Sequence, residues 1–89
     1  MSRSEKVTRV IDGDTFETGS RKNSVRLANV NAPEKGSPGA AATHALRELM
    51  QGEEVIIDTV ARDKYGRSVA NVKIGNRSVN TAMKRKGYK

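Results

Sequence analysis

Residues 37–52 read Ser37-Pro38-Gly39-Ala40-Ala41-Ala42-Thr43-His44-Ala45-Leu46-Arg47-Glu48-Leu49-Met50-Gln51-Gly52. Ala42, Ala45, Leu46, Leu49 and Met50 recur at the spacing of one helix face. Ser37 is expected to cap this helix, Pro38 suits its first turn and Gly52 suits its exit. His44 falls mid-helix beside the apolar stripe and reads as a structural residue. The segment decides the fold because the chain on both sides of it has β character.

Toward the N-terminus, Lys6–Ile11 is β-branched and reads as a strand. Asp12-Gly13 then signals a tight hairpin, since glycine accepts positive φ freely, and Asp14–Thr18 reads as the return strand. Gly19–Asn23 is turn-like. Ser24–Val30 is a third predicted strand, with Val25 and Leu27 on one face and Arg26, Ala28 and Val30 on the other. Asn31–Ser37 is a loop punctuated by Pro33 and Gly36. Toward the C-terminus, Glu53–Val60 and Arg67–Ile74 are predicted strands around a charged turn at Ala61–Gly66. After the Gly75-Asn76 turn, Val79–Lys86 is expected to form a short helix ending at Gly87.

The order β-β-β-α-β-β makes the chain mainly β (α+β). It predicts a five-stranded OB-type barrel with a helix between strands 3 and 4 and a short C-terminal helix. Such barrels often bind oligonucleotides, although a fold alone does not fix a function. At 89 residues and 35% hydrophobic content, the chain is expected to form one domain, residues 1–89, around a small core.

Composition removes several chemistries. With no cysteine there is no disulfide, thiol nucleophile or cysteine-ligated metal, and His44 alone makes a multi-histidine zinc site improbable. No apolar run approaches the ~20 residues of a membrane span. The start, Met1-Ser2-Arg3-Ser4-Glu5-Lys6, lacks the apolar core of a secretory signal. The chain as it stands therefore reads as cytoplasmic, or as secreted if it is a processed or trimmed form. Its formal net charge is +7, and the excess lies entirely in residues 62–89, where Asp63 is the one acid. A basic end on a balanced body points to a polyanion partner.

Three stretches could carry chemistry. Asp12-Gly13-Asp14-Thr15 sets two carboxylates at a strand start, where they can hold a hard cation through oxygen or simply form a hairpin. In Val25-Arg26-Leu27-Ala28-Asn29-Val30-Asn31-Ala32-Pro33-Glu34, the Arg26 guanidinium shares an apolar face and needs an anion, either a carboxylate or a substrate phosphate. Glu34 sits on a loop stiffened by Pro33. Asp63-Lys64-Tyr65-Gly66-Arg67 surrounds a glycine turn with two cations and a phenol, a combination that can bind phosphate.

These three stretches, in this order, together with Val79-Asn80 before the last helix, resemble the staphylococcal nuclease (thermonuclease) family over roughly residues 6–87. The resemblance implies an OB-type barrel and a calcium-dependent phosphodiesterase acting on DNA and RNA. It implies that Asp14 is the principal carboxylate ligand for Ca2+, that Asn31 stands at a second ligand position, and that Ala32 offers its main-chain carbonyl. Glu34 resembles the general base for the attacking water. Arg26 and Arg67 resemble the two arginines that grip the scissile phosphate. Lys64 and Tyr65 resemble contacts to a neighbouring phosphate, and the expected substrate is single-stranded DNA or RNA.

Such a set suits the chemistry. Phosphodiester hydrolysis builds negative charge in its transition state, and preorganised cations stabilise that charge more than the ground state. Two departures stand out. Asn31 is neutral where the family usually has a carboxylate, so calcium affinity should fall with ligand charge. The chain also stops at Lys89, where longer members continue through further helix. The alternative expectation is a weakly active or non-catalytic nucleic-acid-binding module of the same fold. Retention of Asp14, Arg26, Glu34 and Arg67 together favours the enzyme.

Overall fold

Val7 and Val10 are both buried on β1 (Ser4–Asp12), although they stand three positions apart. Strict alternation would put them on opposite faces. The pairing of β1 with β2 (Thr15–Thr18) resolves the conflict, because its register shifts between Val7 and Arg9. The extra residue at this bulge returns Val10 to the inner face. The computed structural model describes residues 4–89; Met1, Ser2 and Arg3, which open the stretch read for a signal, lie outside the described residues.

The remaining elements are β3 (Val25–Leu27), α1 (Gly36–Met50), β4 (Glu54–Arg62), β5 (Ser68–Ile74), β6 (Arg77–Ser78) and α2 (Val79–Arg85). β1 pairs with β2, β2 with β3, β3 with β5, β5 with β4, and β4 with β1. These pairings close five strands into a ring, so the predicted OB-type barrel and the α+β class are correct. Every pairing in the ring is antiparallel except β3–β5, which is parallel. The two-residue β6 was not predicted; it extends the β5 edge just before α2. No helix among the described residues is long and apolar enough to cross a membrane.

The core takes Phe16, Val25, Leu27, Val55, Val72 and their neighbours from the barrel. Leu46 and Met50 of α1 and Val79 and Met83 of α2 complete it. Each such buried apolar side chain stabilises the fold by about 1.5–3 kcal/mol relative to exposure. The apolar stripe read from residues 42–50 is therefore the face of α1 that covers the barrel.

Four local expectations are corrected. α1 begins at Gly36 after Lys35, with no side-chain cap, so Ser37 lies within the first turn. At the other end Gly52 does take positive φ, at +77°. His44 is exposed and pairs with Glu48 one turn later at 2.7 Å, away from the apolar stripe. β3 stops at Leu27, and Asn29 adopts φ +60°, which breaks the strand alternation. Ala28 and Val30 consequently turn into the buried interior, while Arg26 stays half-buried on the rim.

Gly13 is the fourth. It is not among the glycines with positive φ. Its lack of a side chain is required by space, since an added Cβ would stand 2.6 Å from the Cβ atoms of both Ala32 and Ala42. The turn carrying Asp12 and Asp14 is thereby pressed against both the 31–35 loop and α1. Gly39 has a similar role within the first turn of α1, where a Cβ would meet the Glu34 carbonyl carbon at 2.6 Å.

Candidate active site

Asp14 is buried at the β1–β2 turn, and its two carboxylate oxygens accept from different elements. Thr15 Oγ1 donates to Oδ1 at 2.9 Å. The Ala32 amide donates to Oδ2 at 3.4 Å, and Arg26 Nη2 reaches the same oxygen at 3.5 Å. Asp12 Oδ1 accepts from the Asp14 amide at 3.2 Å, which brings the two acids together. Burial foremost, and then the neighbouring Asp12 carboxylate, push the Asp14 carboxyl above the usual range; Arg26 opposes them only in part.

Arg26 finds the anionic partner that its position demanded, and three neutral ones besides. Its Nη2 donates to the Val30 carbonyl and to Asn31 Oδ1, both at 3.1 Å. Its Nη1 donates to the Leu27 carbonyl at 3.3 Å. One guanidinium thus ties the end of β3, the loop at Asn31 and the Asp14 carboxylate into one cluster. Of the residues proposed from the sequence, Asp14, Arg26, Asn31 and Ala32 are brought together here.

Arg67 belongs to a second cluster on the turn between β4 and β5. Its Nε donates to Asp63 Oδ2 at 2.6 Å, and its amide donates to Asp63 Oδ1 at 2.9 Å. The Tyr65 amide donates to the same Oδ1 at 3.0 Å, so one aspartate organises the whole turn. Desolvation raises the Asp63 carboxyl, but these hydrogen bonds and the Arg67 charge outweigh it and hold it below the usual range. Lys64 Nζ and the Arg67 guanidinium flank the exposed Tyr65 ring, at 5.3 and 5.5 Å from its centroid.

The parallel β3–β5 register relates the two clusters. Arg26 pairs with Val69, so the turn that carries Arg67 leads directly into the strand beside Arg26. Glu34 is exposed on the loop between β3 and α1, with its main chain packed against Gly39. Among the described residues no side-chain hydrogen bond engages it.

The donor types around Asp14 fit a hard cation. Around Asp14 the structure gathers the Asp12 carboxylate and, through Arg26, the Asn31 amide oxygen, which are oxygen donors of the type a hard cation takes; Ala32 meets Asp14 through its amide. A buried carboxylate destabilised by a neighbouring acid is also a group that a cation would relieve. The ligand charge is low, since among the described residues no three His, Cys, Asp or Glu side chains cluster.

Two positioning groups escaped the sequence reading. Thr15 holds Asp14, and nothing in its local pattern sets it apart from any strand threonine. Asp63 had a readable signal, because an aspartate opening a glycine turn commonly accepts from the next backbone amides.

A family model described as staphylococcal nuclease homologue matches residues 24–89. The chain belongs to this family. An uncharacterized endonuclease of Escherichia coli O157:H7 is 39% identical over 70 residues, covering 75% of this chain and 46% of the relative. Protein ParB of Escherichia coli is 34% identical over 93 residues, covering 91% of this chain and 52% of the relative. The thermonuclease of Staphylococcus intermedius is 33% identical over 92 residues, covering 91% and 55%. The chain spans about half the length of these curated relatives.

Proposed function

We propose that residues 1–89 act as one staphylococcal-nuclease-like unit that hydrolyses phosphodiester bonds of single-stranded DNA or RNA with Ca2+ as cofactor. The observation that carries this reading is the Arg26 guanidinium held against the buried Asp14 carboxylate on β3, with Arg67 preoriented by Asp63 on the turn that leads into β5, the strand paired with β3. Similarity to proteins named endonuclease and thermonuclease supports it.

The chain's own residues divide the work. Within the Arg67 guanidinium Asp63 engages only Nε, so both Nη groups remain to donate to a phosphate as a preoriented fork. Arg26 offers a second positive centre from a fixed position, since four acceptors hold its tip. Together they stabilise the charge that grows on the phosphate oxygens. Glu34, exposed on its loop and free of side-chain partners among the described residues, accepts the proton of the attacking water. Lys64 and the Tyr65 ring contact the adjoining nucleotide. Asp14, Asn31, the Ala32 carbonyl and Asp12 would hold the cation. When bound, Ca2+ would supply Lewis-acid neutralisation of phosphate charge.

The test is incubation with denatured DNA and with RNA, in calcium and in excess chelator. Cleavage in calcium that stops in chelator is the expected result. Equal cleavage in chelator would remove the metal from the reaction. Binding without cleavage under any divalent metal would establish the non-catalytic module instead.

A further inference from the structure

A second cationic feature lies outside both clusters. Arg21, Lys22, Asn23, Arg62 and Ser68 line a pocket of about 220 Å³ where the β2–β3 loop meets the β4–β5 hairpin. The two segments are tied there by Asn23 Nδ2 donating to the Gly66 carbonyl at 3.3 Å and Arg21 Nη1 donating to Ser68 Oγ at 3.2 Å. Arg62 Nη1 reaches the same Gly66 carbonyl at 3.3 Å.

The charges in this pocket are of two kinds. Arg21 is neutralised, since Glu5 accepts from its Nε and Nη2, each at 2.8 Å. Lys22 and Arg62 take part in no ion pair among the described residues. No carboxylate lines the pocket, so it presents two uncompensated cations with the amide of Asn23 and the hydroxyl of Ser68. Its volume falls below the ~300–1,000 Å³ of sites that enclose a drug-sized ligand, and it has no aromatic wall. Small size, positive charge and hydrogen-bond donors select a phosphate group rather than a base.

Position links the pocket to the proposed nuclease site. Arg62 pairs with Ser68 across the hairpin, one residue from the Asp63–Arg67 turn on either side. The exposed Lys64 and Tyr65 lie in the turn that joins Arg62 to Ser68. We propose that this pocket is a subsite for a backbone phosphate of the nucleic-acid strand, outside the bond that is cleaved and reached by the strand passing over the hairpin tip. The proposal rests on the nucleic-acid reading above, and it gives the site a preference for longer strands.

The experiment compares the protein with a Lys22→Gln/Arg62→Gln double variant, leaving Arg21 to pair with Glu5. Anisotropy in excess chelator measures binding of labelled oligothymidylates of two and twelve nucleotides across a salt series. The twelve-nucleotide strand should bind the variant on the order of tenfold more weakly. Its salt slope should fall by about 0.7 for each phosphate that the variant no longer neutralises. Dinucleotide affinity should be unchanged. Equal weakening for both lengths, or none for the longer, overturns the proposal. A second arm titrates inorganic phosphate by NMR. Amides of Lys22, Asn23 and Ser68 should shift in the protein but not in the variant. Their silence overturns the pocket even if no oligonucleotide binds. Shifts without any oligonucleotide binding would leave a free-phosphate site and overturn the strand path.

Discussion

Gly13 and Ala42 approach so closely that a Cβ on Gly13 would stand 2.6 Å from the Cβ of Ala42. The contact fixes the β1–β2 turn, and with it Asp12 and Asp14, onto α1. Ala32 crowds the same point from the loop side. Gly13→Ala should therefore destabilise the protein by about 1–3 kcal/mol through overpacking. Urea denaturation measures this, and a shift under about 0.5 kcal/mol would show that the turn and helix separate freely.

Asn80 should be the most sensitive polar residue in the core. Its Oδ1 accepts from the Val72 amide at 2.8 Å, and its Nδ2 donates to the carbonyls of Ala28 and Ala70 at 2.9 and 3.0 Å. Asn80→Ala takes this partner from the Val72 amide and the Ala28 carbonyl, at about 1–3 kcal/mol each, while the Ala70 carbonyl still accepts from the Ala28 amide at 2.8 Å. A total loss of at least about 2 kcal/mol is expected in chemical unfolding. A loss near 1 kcal/mol would mean that water takes over these bonds.

Asn31→Asp should tighten cation binding, because it adds a carboxylate beside Asp14 and Asp12. Arg26 Nη2, 3.1 Å from Asn31 Oδ1, is placed to offset the added charge when no cation is bound. Calorimetric titration of calcium into both forms decides the matter. Equal or weaker affinity in the aspartate variant would show that position 31 does not face the ion.

Arg26 and Arg67 should separate in stability while agreeing in turnover. Either arginine changed to Ala is expected to lower turnover by on the order of a hundredfold or more, as for loss of one transition-state donor. Arg26→Ala should also lower the unfolding midpoint, since it releases the Leu27, Val30 and Asn31 contacts. Arg67→Ala, on an outer turn, should leave the midpoint nearly unchanged. Unaltered turnover in both variants would refute the catalytic assignment.

The Glu5–Arg21 pair predicts an acid-side loss of stability. Hydrogen bonds and charge from Arg21 hold the Glu5 carboxyl below its ordinary value, against the opposing effect of burial. Its stabilisation is present above the unfolded pKa and is lost as pH falls through the lowered native one. The melting temperature of the protein should thus fall more steeply below about pH 5 than that of Glu5→Gln. Parallel pH profiles would assign no folding role to the pair.

The local pattern of the chain determined α1, whose apolar spacing from Ala42 to Met50 needs no knowledge of the partner surface. It also determined the succession of the five barrel strands along the chain and the turn at Asp63–Arg67, because turn chemistry and periodicity act over a few residues. The grouping of Asp14, Arg26, Asn31 and Ala32 was legible only through the motifs that carry the family resemblance. Tertiary structure decided the rest. The end of β3 at Leu27 depends on Asn29 entering the left-handed region, which the apolar pattern of residues 24–30 does not encode. Gly13 looks like a hairpin glycine until Ala32 and Ala42 close on it. Asn80 bridges to Ala28 across 52 residues, and the phosphate pocket joins residues 21–23 to residues 62 and 68. Such contacts arise when the parallel β3–β5 pairing closes the barrel, and long-range closure leaves no periodic trace in the segments that it brings together.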